Sequence, residues 1–298
     1  KFVSNQQEIE LPDTVDGRIS RLLHYLRSSR CLLILDNIEA ILRDGYSAGH
    51  YSEGYEEYGQ LLRKIGEVPH QSCLLVISRE EPQEIALLGD ETGPIRSLNL
   101  SGLNKLDGRK IFTTIGNFSG SNDDWRKLIK LYNGNPLALK LAAKHIKDVF
   151  FGNISDFLKQ GNPVFGNLCD LLNWHFERLS DFEKEIMYWL AINHQPISLS
   201  ELREDIFSSV AKEQVPETLQ SLQRRLPLET NAAGFTLPPI LIKYMTQRLI
   251  EQVCEEITTR KLVLFNSHAL LKFSANNFVK DSQRRLILKP VLDRLLFA

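Results

Sequence analysis

At 298 residues and 34.1 kDa, the chain is long for one domain and suits two or three of about 100–150 residues each. Its 43% hydrophobic and 24% charged residues exclude a disordered or collagenous polymer. Thirty-six lysines and arginines against 37 acidic residues leave a net charge of −1, which offers no global field for nucleic acid. No apolar run approaches the roughly 20 residues of a membrane span. Cys31, Cys73, Cys169 and Cys254 are too scattered for paired CxxC motifs or a disulfide framework, so a reducing, cytoplasmic setting is expected. Lys1 is not methionine and no leader follows it, so the chain is expected to be part of a longer one.

Leu11, Val15, Ile19, Leu22, Leu23 and Leu26 recur at helical spacing after Pro12 and Asp13, which predicts a first helix over 11–29. The apolar run Cys31–Leu35 ends at Asp36, and a second, Cys73–Ile77, ends at Ser78-Arg79. Uninterrupted apolar strands belong to parallel sheets covered on both faces, and Cys31 and Cys73 are expected in that core. An amphipathic stretch around Tyr58, Leu61, Leu62 and Ile65 separates the runs, giving a strand–helix–strand crossover. Ile95–Leu100 reads as a third strand.

After this point the pattern turns helical. Helices are predicted over 105–118 and 122–132, Asn133-Gly134-Asn135 stops the second, and Pro136 opens another. The glycines and proline of 152–167 mark a boundary. Beyond it lie a helical run from Phe176 to Ile192, a capped helix from Ser200, a helix through Val215–Leu226 and a hairpin turning at Asn231–Gly234. A helix over 239–257 completes a winged-helix pattern. The tail, 258–298, reads as a helical linker with eight basic and two acidic residues.

Ligands of open parallel sheets bind beyond the carboxyl ends of the strands. Asp36, at one such end, has the chemistry to hold Mg²⁺ near a nucleotide's phosphates, directly or through water; equally, it would serve as a strand cap. Arg79, at the neighbouring end, suits bidentate recognition of a terminal phosphate, or it is an ordinary surface arginine. Gly134-Asn135-Pro136 opens a helix whose first amides would face a ligand, or it simply joins two helices. The phosphate loop G-x-x-x-x-G-K-[ST] is absent, and none of the 17 glycines is followed by lysine.

Together these residues resemble the NB-ARC type of STAND-class ATPase, and more closely the cyanobacterial members that carry WD repeats. The resemblance rests on Arg30–Asn37 as a Walker B strand, the Gly45–Gly59 loop and helix, and Cys73–Arg79 as a sensor strand. Gly134–Leu139 supplies a glycine-x-proline motif, and 178–205 the opening of a winged helix. It implies an α/β nucleotide-binding part over 1–102, with a partial parallel P-loop NTPase sheet. A helical subdomain over 103–166, a winged-helix subdomain over 167–257 and the linker would follow. It further implies an ATP/ADP switch in signalling, with Asp36, Asn37, Arg79, Gly134 and Pro136 toward the nucleotide and Asp36 toward Mg²⁺. Partners would be the chain's own preceding nucleotide-binding half and a downstream repeat domain, with homo-oligomers forming when ATP is bound.

Three departures temper this expectation. The Walker A segment would lie upstream of Lys1, so the chain alone is expected to be inactive and to hold no nucleotide. Asn37 stands where many relatives have a second acid, and an amide cannot take a proton from attacking water, so the parent would be a slow ATPase at most. The family's Met-His-Asp motif falls at Leu237-Pro238-Pro239, where there is neither histidine nor aspartate. Two other readings stay open: a nucleotide-free interaction scaffold and, more weakly, a DNA-binding regulator using Gln220, Gln223, Arg224 and Arg225. His145, in an apolar helix, is expected to be structural. Tyr46, Tyr51, Tyr55 and Tyr58 suit either an interaction surface or a covering of the sheet.

Overall fold

The structure is a computed structural model that describes residues 10–90, 92–160, 162–272 and 275–296. It divides into two compact units, Lys1–Asn99 with Gln220–Leu226 and Leu100–Leu219 with Pro227–Ala298.

In the first unit, α1 (Val15–Ser28) starts at Thr14, whose hydroxyl accepts from the Gly17 amide, not at Pro12-Asp13. Then follow β1 (Leu32–Asp36), a 3₁₀ turn (Ile38–Ile41), α2 (Glu57–Glu67), β2 (Cys73–Ile77) and α3 (Gln83–Leu88). The strands pair in parallel from Leu32 opposite Cys73 to Asp36 opposite Ile77. Ser72 ties the start of the sheet together: its hydroxyl accepts from the Cys31 amide and lies 2.9 Å from the Leu26 carbonyl oxygen.

Ile19, Leu23 and Leu26 of α1 and Ile65 of α2 form a core against Cys31 and Leu74. Both helices share this cluster, so they cover the same face. On the other face Leu32, Ile34, Leu75 and Ile77 are exposed, and so is Cys73. This corrects the expectation of burial on both faces: a continuous apolar run looks the same whether one face or two is covered. Ile95–Leu100 forms no strand, and Leu98 and Leu100 are more than four-fifths exposed. The Ile95 carbonyl accepts from the Asp90 amide and the Ser97 hydroxyl donates to the Glu81 carboxylate, and neither bond belongs to a ladder.

The second unit begins with α4 (Lys105–Thr113), α5 (Asn122–Leu131), α6 (Pro136–Phe150) and α7 (Ile154–Gln160). Phe112, Leu128, Leu139 and Ile146 are fully buried. The 152–167 stretch, read as a boundary, contains α7, whose Ile154 and Phe157 are also buried. Next come α8 (Gly166–Glu177), α9 (Asp181–Asn193), α10 (Leu199–Asp205) and α11 (Ser209–Arg225), whose residues from Gln220 on are counted with the first unit. The single run expected from Phe176 to Ile192 is two helices, because Ser180 and Glu183 form a capping box that starts α9. Ser198, not Ser200, caps α10 in the same way with Glu201.

The hairpin β3 (Glu229–Asn231) and β4 (Gly234–Thr236) is antiparallel, and Phe235 also bridges to Ile197. The long α12 (Pro239–Thr259) packs on α9. The tail holds α13 (Leu264–Ser267), α14 (Asn277–Gln283), a π-helical turn (Arg284–Leu288) and α15 (Lys289–Leu296). It does not stand off as a linker: Val279, Ile287 and Val291 are buried, and α15 and the π turn pack on α12. No helix among the described residues is long and apolar enough to cross a membrane.

Candidate functional site

The parallel register sets Asp36 beside Ile77, so Asp36 and the Ser78-Arg79 turn emerge together at the carboxyl edge of the sheet. Asp36 is exposed. Asn37 follows with φ of 62°, in the left-handed region that asparagine tolerates better than most residues, and this reversal launches the 3₁₀ turn. The reversal also folds Glu39 inward, where it is 4% exposed.

Glu39 is the residue that sequence reasoning missed. Its carboxylate accepts from the Ser78 hydroxyl and from the Arg79 amide, each at 3.2 Å, and lies 3.5 Å from Arg79 Nε. The Arg79 side chain remains about half exposed. Its guanidinium therefore has its Nε edge against a buried carboxylate. The only sequence signal for Glu39 is a lone charge inside the apolar run Ile38-Glu39-Ala40-Ile41-Leu42.

Glu80, the next residue along the turn, is equally buried. Its Oε1 accepts from the Gly49 amide at 2.8 Å and from an Arg225 guanidinium nitrogen at 2.9 Å. Gly49, with φ of 88°, lets the backbone come this close; a Cβ would meet the Gln83 amide nitrogen and the Glu81 carbonyl oxygen. Ser221 accepts from the Ala48 amide, and the Arg224 carbonyl accepts from the Glu81 amide. No sequence signal links Glu80 to Arg225, which lie 145 residues apart.

Gly134 and Pro136 belong to the second unit. Gly134 is left-handed, with φ of 63°, and any Cβ there would run into the Leu103 backbone. The Asn135 side chain caps α6 by accepting from the Ala138 amide, and Pro136 takes the first helical position. The motif thus has a full structural explanation as a helix-to-helix turn. Pro136 also lines an open depression of about 460 Å³ with Lys110, Ile111, Thr114, Leu137 and Lys140.

Among the described residues no group of three or more His, Cys, Asp or Glu side chains could hold a metal. Asp36 alone fits a largely hydrated Mg²⁺, which needs only one or two carboxylates. His145 stacks on Phe165 with centroids 4.0 Å apart, and burial lowers its pKa. Tyr51 is partly buried and donates to Glu84; burial raises its pKa. Tyr46, Tyr55 and Tyr58 are exposed.

No protein-family profile matches the chain. It is 43% identical over 332 residues to a WD repeat-containing protein of Nostoc sp., a match that takes in 99% of the chain. The chain spans about a quarter of that relative's length. Among solved structures it is similar to a Signal Transduction ATPase with Numerous Domains with a tetratricopeptide repeat sensor from Pyrococcus horikoshii. That match has 15% identity and a TM-score of 0.34, over 95% of this chain and 42% of the other. A second is a RuvB mutant from Thermotoga maritima, with 16% identity and a TM-score of 0.31, over 74% and 71%. Neither TM-score is high enough to assign the fold.

Proposed function

We propose that the chain is part of an ATP/ADP-dependent signalling switch of the STAND type, bearing its Walker B and sensor strands, a helical subdomain and a winged helix. One observation carries this reading: the in-register parallel pairing that brings Asp36 and Arg79 to the same sheet edge. An aspartate and an arginine there supply a Mg²⁺ ligand and a phosphate reader, the pair that nucleotide chemistry at such an edge needs. The helix–hairpin–helix order from α8 to α12, with Ile197 bridging to Phe235, supports the winged helix. The WD-repeat relative supports a downstream repeat domain as partner, with homo-oligomers in the ATP state.

When bound, the nucleotide would supply the switching energy through its terminal phosphate. Asp36 would orient Mg²⁺ and Arg79 would meet the phosphate. Asn37 makes hydrolysis slow. With no glycine followed by lysine, the 298 residues alone are proposed not to hold a triphosphate. The test compares this chain with a version extended upstream through any phosphate loop, by acid release of bound nucleotide and titration of labelled ADP with Mg²⁺. Nucleotide in the extended protein alone supports the switch, and Asp36→Asn or Arg79→Ala should then weaken it. No nucleotide in either supports the scaffold reading, which the engagement of Arg79 by Glu39 favours. The DNA-binding reading loses a phosphate contact, because Arg225 is buried on Glu80.

A further inference from the structure

Within the first unit, the turn after β2 gives each of its three amides to a different partner. The Arg79 amide goes to Glu39, the Glu80 amide to the Ser78 hydroxyl, and the Glu81 amide to the Arg224 carbonyl. The side chains continue the same line. Arg79 sits on Glu39, Glu39 accepts from Ser78, Ser78 accepts from the Glu80 amide, and the Glu80 carboxylate holds Arg225. Arg79 is half exposed at one end, whereas Arg225 and Glu80 at the other are 5% and 4% exposed.

We infer that Glu39, Ser78 and Glu80 form a polar relay, so that drawing Arg79 away from Glu39 loosens the hold of Glu80 and Ala48 on Gln220–Leu226 at the end of α11. The physical reason is the burial of Glu39. A buried carboxylate that loses a cationic neighbour is strongly destabilised unless its remaining donors close in. Among the donors that remain are the Ser78 hydroxyl and the Arg79 amide, both in the turn that carries Glu80. Any shift of that turn acts directly on Glu80. That carboxylate is shared between Arg225 and Gly49, and the Ser221 contact to Ala48 lies one residue from Gly49. The link is a contiguous set of hydrogen bonds, and its strength is a coupling energy that can be measured. Glu39 and Ser78 are positioning residues, since they act only through Arg79 and Glu80. The anion that would draw Arg79 outward rests on the nucleotide reading above; the relay itself does not.

The test is amide hydrogen exchange on the full 298-residue chain without nucleotide, which separates failure of the relay from failure of the nucleotide reading. The reporters are Ala48 and Gly49, whose amides donate to Ser221 and Glu80, with α1 amides as controls. Arg79→Met leaves in place the groups to which the reporters donate, Ser221 and Glu80. It is expected to speed exchange at Ala48 and Gly49 by about tenfold while α1 stays within about twofold of wild type. In a Ser78→Ala background, where the relay is already cut, Arg79→Met should add nothing at those amides. Reporter rates that stay within about twofold of wild type in Arg79→Met overturn the proposal. Equal acceleration in α1 also overturns it, because that is general loosening. Arg79→Lys keeps the charge and serves if the methionine variant fails to fold: an effect at Ala48 and Gly49 smaller than tenfold but confined to them supports the relay, and none overturns it.

Discussion

The two units are held together by different chemistry. The second is a helical body with a large apolar interior, from Phe112 and Leu139 to Trp189, Leu190 and Met245, and its buried carboxylates Glu183 and Glu256 accept from backbone amides, Glu183 within one of the serine-led capping boxes at its helix starts. The first has a small core under one face of a two-stranded sheet, and beside it a run of buried charge: Glu39, Glu80 and Arg225. Apolar packing tolerates changes of shape in proportion to the volume lost. Buried charge tolerates almost no loss of one partner, yet it contributes little net stability as a pair.

Trp189→Ala should break the second unit most severely. Trp189 is 2% exposed and stacks on His268 at 4.7 Å, so its loss should cost about 3–5 kcal/mol in denaturant titration. Arg225→Met should cost the first unit about 3 kcal/mol by stranding Glu80, and the double variant Glu80→Met/Arg225→Met should recover most of it. A double variant as unstable as the single one would mean that the pair adds net stability.

A smaller effect is expected from pH. Burial lowers the pKa of His268, against opposing hydrogen bonds to the Glu185 and Leu264 backbone and the nearby Glu256 charge. His194 and His145 are shifted the same way by burial. A histidine held below its unfolded value of about 6.5 gives stability that is present above that pH and lost as pH falls toward the folded value. Tm should therefore drop between pH 7.5 and 5, and His268→Asn should narrow the drop without abolishing it. The smallest effect belongs to the uncovered sheet face. Ile34→Thr should change stability by less than about 0.5 kcal/mol, whereas Leu26→Ala, on the covered face, should cost about 2–4 kcal/mol.

Much of the local structure was legible because it is written in local signals. The strand ends at Asp36 and Ile77, the Asn133–Pro136 stop and start, and the hairpin around Asn231–Gly234 all follow from neighbouring residues. What was not legible depends on distant partners. Leu32, Ile34, Leu75 and Ile77 give no sign of which face the helices take. Ile95–Leu100 has strand composition but lies along no edge that it pairs with. Glu80 looks like a surface residue in Ser-Arg-Glu-Glu-Pro until Arg225 is known to lie on it. In the candidate site, Asp36 and Arg79 could be named from sequence, but the carboxylate that occupies Arg79 could not.

The uncovered face also carries its own chemical gauge. Of the four thiols, Cys73 is the exposed one, Cys254 is buried and Cys31 and Cys169 are intermediate. Cys73 stands in the same apolar stripe as Leu75 and Ile77, directly across from Leu32. Its rate of alkylation by a small maleimide reports how open that stripe is, with no engineered label. A longer version of the protein in which Cys73 reacts slowly would have something lying over the stripe; equal rates would leave it bare in both.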